Sequence, residues 1–95
     1  KILDKKDLYE FLDSENINVN RLDARRVIEN IKEKRKDLIK SDNETSAKKK
    51  LFTECEKIFG DVAKRKEYDE YPERRRFEVL NKVICESLTK KQNFE

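Results

Sequence analysis

The sequence predicts an all-α fold, a small bundle of four to five helices. Three observations predict it. One Gly and one Pro among 95 residues are too few for the tight turns of a sandwich or barrel. Lys, Glu, Arg and Leu, all good helix formers, recur throughout. Leu, Ile, Val and Phe return three and four residues apart, the spacing of one helix face. Hydrophobic residues are 35% of the chain, so the core is thin and serves one domain. The charge signs nearly cancel to a net +3, unlike a disordered polyionic tail.

The first helix is expected at Asp4–Leu12, where Leu8, Phe11 and Leu12 share a face with Tyr9 beside them. Asp13–Asn16 breaks that pattern, and Ile17 and Val19 of the next polar stretch face inward. Asn20 is expected to cap a second helix, with Asp23 near the positive end of its dipole. Ala24, Val27, Ile28, Ile31 and Leu38 form its apolar stripe. Arg25, Glu29, Lys32 and Lys36 form a separate row. Arg35 falls on the apolar side, its stem packed and its head reaching water.

Ser41–Thr45 reads as the main loop, with Thr45 or Ser46 capping a third helix. That helix carries Ala47, Leu51, Phe52, Cys55, Ile58 and Phe59, and Gly60 ends it at the C′ position. Asp61 caps a short basic helix through Tyr68. Pro72 takes the first position of a final helix. Its stripe is Phe77, Leu80, Ile84 and Leu88 with Val83 alongside, and Lys90–Glu95 is expected to fray.

Composition excludes several chemistries. With no His, there is no Ser-His or Cys-His nucleophile pair and no His metal ligand. A single Gly rules out a glycine-rich phosphate loop. Cys55 reads as a small buried hydrophobe and Cys85 as partly buried, with no redox or metal role for either. The carboxylates sit among cations in polar segments without sign of a pocket that shifts a pKa. The expectation is therefore a protein that is not an enzyme, with no cofactor and no metal. No apolar run has the length of a membrane span. The chain starts at Lys1, not Met, and reads as a module of a longer protein.

Two segments carry a family resemblance. Asp7-Leu8-Tyr9-Glu10-Phe11-Leu12 and Ala63-Lys64-Arg65-Lys66-Glu67-Tyr68-Asp69-Glu70-Tyr71 resemble the two ends of a J-domain, the co-chaperone module that partners DnaK-type chaperones. The interval from Asp7 to Asp69 matches the family with essentially no net insertion, and Phe52–Asp61 looks like its third helix and the bend after it. The resemblance covers residues 4–71, with a further helix over 72–90 that packs on the domain or leads into the next. It implies a helical hairpin whose second helix faces the chaperone. One departure is central. The family's His-Pro-Asp tripeptide, which stimulates the chaperone ATPase, is replaced by Arg35-Lys36-Asp37 or Lys36-Asp37-Leu38. Asp37 alone stands in for the family's Asp. The Gly usual after Leu12 is Asp13.

The resemblance implies a degenerate J-like module with an intact scaffold and no standard switch. Its partner-facing residues would be Arg25, Arg26, Lys32, Arg35, Lys36 and Asp37, steering an acidic protein surface onto the second helix. A DnaK-type chaperone, or a complex containing one, is the implied partner, in a reducing intracellular, cytoplasmic setting. FF domains, helical interaction modules of splicing and transcription factors, offer a second resemblance through Phe11, Arg35 and Leu51-Phe52. That reading implies a nuclear module binding acidic or phosphorylated peptides or nucleic acid. It lacks the family's Trp and leaves Lys64-Arg65 and Tyr68-Asp69 unexplained, so the J-like reading is preferred. Lys48-Lys49-Lys50 with Arg74-Arg75-Arg76 is the candidate phosphate contact, opposed by flanking Glu44, Glu54, Glu73 and Glu78.

Overall fold

In a computed structural model of the protein, residues 5–40 and 42–92 are described, without the side chains of 87–92. The elements are α1 (Leu8–Ser14), a 3₁₀ turn (Val19–Arg21), α2 (Ala24–Lys36), α3 (Asn43–Phe59), α4 (Val62–Glu70) and α5 (Glu73–Gln92). No strand occurs among the described residues, and the all-α bundle expected from the sequence is what is found.

Four aspartates set the helix starts. Asp7, Asp23, Asp42 and Asp61 each stand just before α1, α2, α3 and α4, their carboxylates accepting backbone N–H groups of the first turn. Each satisfies donors that a helix N-terminus leaves without intrahelical partners. This corrects the sequence reading in three places. The α1 helix begins four residues after Asp4, which lies outside the described residues. The cap of α2 is Asp23 and not Asn20, because Asn18 and Asn20 belong to the 3₁₀ turn, where Asn18 Oδ1 accepts from Asn20 N at 3.1 Å. The cap of α3 is Asp42, whose Oδ1 accepts from Thr45 N at 2.8 Å, so Thr45 is a helical residue, buried in the bundle. Asp23→Ala is expected to lower the unfolding free energy by about 1 kcal/mol, while Asn20→Ala costs clearly less. Urea denaturation of the two variants checks the assignment, and an equal loss would return the cap to Asn20.

The hairpin of α2 and α3 is antiparallel. Arg35 at the end of α2 reaches Thr53 and Glu56, while Ile28 near its start lies against Gly60 at the end of α3. The α3 helix is the hub, packing against α2, α4 and α5. Its Leu51, Phe52, Cys55 and Phe59 are buried in one cluster with Leu8, Phe11, Leu12, Val27, Ile31, Tyr68, Leu80 and Ile84. Ile17 and Val19 close it from the loop, as their spacing indicated.

Other expectations shift. Leu38 lies past the end of α2, though it still packs against the core. Gly60 has φ −85°, so it is not a left-handed C′ glycine. Glycine is required there by space, since a Cβ would stand 2.5 Å from Ile28 Cδ1. Pro72 precedes α5 by one residue, its carbonyl accepting from Arg76 N at 3.1 Å. Phe77 is 40% exposed, because Arg76 takes the inward position of that turn and faces Asp7 at 3.8 Å. Cys85 is exposed and Cys55 buried. The side chain of Leu88 and residues 93–95 lie outside the described residues.

Candidate interaction surface

The second helix presents a solvated basic face. Val27 and Ile31 turn into the core, which fixes the rotation of the helix. The 3.6-residue repeat then carries Arg25, Glu29, Lys32 and Lys36 to the opposite side. Arg25, Arg26, Lys32, Lys36 and Asp37 are all exposed. Arg25 holds Glu29 at 3.6 Å in an i,i+4 pair, a weak interaction in water. Among the described residues no ion pair is formed by Arg26, Lys32 or Lys36. Asp37 ends the helix, its N–H bonding to the carbonyls of Lys34 and Arg35.

Arg35 is the exception among the six. Its guanidinium donates to Glu56 and, at 3.4 Å, to Thr53 Oγ1, and its side chain is only 32% exposed. Its head is thus engaged with α3, where free snorkelling into water was expected. It clamps the hairpin.

The two motif ends meet. The Tyr9 hydroxyl donates to Asp69, and Arg65 Nε donates to Tyr9 Oη at 3.3 Å. The Arg65 guanidinium lies 5.9 Å from the Tyr9 ring centre and 6.0 Å from that of Phe59, within cation–π range. The Tyr68 hydroxyl accepts Leu8 N–H at 3.0 Å inside the core. Burial, joined by the Asp69 hydrogen bond, raises the Tyr9 pKa. Burial also raises that of Tyr68, against the Leu8 hydrogen bond, which lowers it. Segments some 60 residues apart are therefore one structural clasp. Asp69 also meets the Arg65 guanidinium at 4.0 Å.

Of the phosphate-contact candidates, Lys48, Arg74, Arg75 and Arg76 meet carboxylates. Lys48 meets Glu15 at 3.5 Å, beyond the C-terminus of α1. Arg76 faces Asp7 at its N-terminus, and Arg74 and Arg75 hold Glu78 at 3.9 and 3.1 Å. An open groove of about 450 Å³ between α3 and α5 places Glu54, Glu78 and Glu86 among Arg75 and Lys82. Among the described residues no group of three or more Cys, Asp or Glu side chains is arranged to hold a metal ion. No described helix is long and apolar enough to cross a membrane.

No family model matches the chain, and no curated protein or solved structure is significantly similar to it.

Proposed function

We propose that this chain is a non-catalytic, J-like interaction module whose second helix docks on an acidic surface of a DnaK-type chaperone or of a complex that contains one. The observation that carries the reading is the α2 face. Arg26, Lys32 and Lys36 stand in water without ion-pair partners among the described residues, on a helix whose other side is locked into the core. Such a face raises encounter rates with an acidic partner at low salt. The clasp of Tyr9 with Arg65 and Asp69 supports the reading further, because it gives the two quoted motifs a joint structural task. The turn after α2 holds Asp37 without a preceding His-Pro, so docking is not coupled to ATP hydrolysis.

The test pairs a binding assay with an ATPase assay on a DnaK-type chaperone. The chain is expected to bind and to leave the ATPase rate unchanged. Lys32→Glu with Lys36→Glu should weaken binding at least tenfold, about 1.4 kcal/mol, with the helical circular dichroism unchanged. Stimulation comparable to a full J-domain would overturn the reading, and so would binding that ignores the charge reversal. Capture of a phosphorylated peptide in place of the chaperone would transfer the module to the FF-like class.

A further inference from the structure

The basic face does not stop at α2. Arg35 fixes the seam of the hairpin by meeting Thr53, and Thr53 is itself exposed. Lys49 and Lys57 lie four residues to either side of it on α3, on the same helical row, and both are exposed. Among the described residues neither forms an ion pair. The outer side of the hairpin thus carries Arg25, Lys32, Lys36, Lys49 and Lys57, with Glu29, Glu33 and Asp37 as the exposed carboxylates of α2 and its end, and with Arg35 and Glu56 paired at the seam.

At the turn end of this face stands Ile39, 86% exposed. On its N-terminal side the chain is tied down. Leu38 beside it packs against the core and bonds through its N–H to Arg35 O at 3.1 Å. Asp42, three residues on, caps α3. Ile39 shares this end of the hairpin with Lys40 and Lys48 and with Asp37, Asp42 and Glu44, and an exposed isoleucine ringed by charge of both signs beside the basic row has the character of an interface anchor.

Resting on the reading of α2 above, we infer that the docking surface spans both helices of the hairpin, with Ile39 as its apolar anchor and an acidic protein helix bearing an apolar residue as its partner. A protein partner is favoured over nucleic acid. No exposed large aromatic lies on this face, Phe77 on α5 being the one among the described residues, so bases have nothing to stack on. A phosphate backbone also offers no match for an aliphatic side chain.

The probe is a synthetic helical peptide of glutamate and alanine with one central leucine, titrated into the isotopically labelled chain and followed by amide NMR shifts. Shifts are expected at Lys32 and Lys36 and also at Lys49 and Lys57. Ile39→Ser, which removes nothing from the core, is expected to weaken the peptide about tenfold. It should leave unchanged the affinity of the same peptide with serine in place of leucine. Shifts confined to α2 would overturn this inference and leave the α2 reading standing. Shifts on neither helix would overturn both. Tighter binding of a single-stranded RNA to the same residues, with a steep salt slope, would overturn the choice of partner.

Discussion

Replacing Tyr68 by alanine is expected to remove a large share of the stability of the fold. Its ring is buried against Phe59 and Tyr9, with centroids 5.9 Å away in both cases, and against Tyr71 at 6.0 Å. Truncating a buried aromatic of this kind costs roughly 3–5 kcal/mol. A domain of 95 residues has only about 5–14 kcal/mol in total. Tyr68→Phe separates the two parts of the effect. It keeps the ring and strands the Leu8 N–H in the core without its acceptor, a loss of about 1–3 kcal/mol. Urea denaturation of both variants gives the comparison. A phenylalanine variant as stable as the parent would mean that Leu8 N–H finds another acceptor.

Alanine at Gly60 is expected to destabilise the protein although the backbone there is ordinary. At φ −85° and ψ −6° any residue is at ease, and Gly→Ala at such a site usually adds about 0.4–1 kcal/mol by stiffening the unfolded chain. Here the sign reverses. The new methyl would lie 2.5 Å from Ile28 Cδ1 and 2.6 Å from the Glu56 carbonyl oxygen. Forcing carbon into a filled site costs roughly 1–3 kcal/mol. Ile28→Val deletes Cδ1 and should recover part of the loss in the double variant, leaving the share that comes from the carbonyl. Thermal unfolding of the four members of this cycle reads out the coupling. A single variant more stable than the parent would show that α2 moves aside at no cost.

What the residues reveal in advance follows the reach of each interaction. The stripes of α2 and α3 were legible because Val27 with Ile31, and Leu51, Phe52, Cys55 and Phe59, repeat at the period of the helix itself. The exposed row of α2 follows from the same periodicity. Caps were harder, because Asn20 and Asp23 are both competent and the choice depends on a 3₁₀ turn that forms between them. Gly60 showed that a breaker was needed, yet conformation and space are indistinguishable until Ile28 is placed across from it. Phe77 failed for a similar reason, since Asp7 draws Arg76 into the position that spacing assigned to an apolar residue. Arg35 was read correctly as facing inward, but its partner Glu56 lies 21 residues away. Only the register of the hairpin brings them together.

The bond from Leu8 to Tyr68 also governs when the molecule can exist. During synthesis the N-terminal helix emerges first, with Leu8, Phe11 and Leu12 exposed to solvent. The hairpin of α2 and α3 can form locally as it leaves the ribosome and offers Phe52 and Phe59 to α1, but Leu8 N–H lacks its acceptor until α4 has been translated. A chain interrupted anywhere before residue 68 holds an open core and a greasy first helix, the type of surface that chaperones and proteases engage. Closure across such a separation is slow compared with helix formation. The closing of α1 onto α4 is therefore tied to the arrival of one tyrosine, and α5 follows it with Leu80 and Ile84 for the same core.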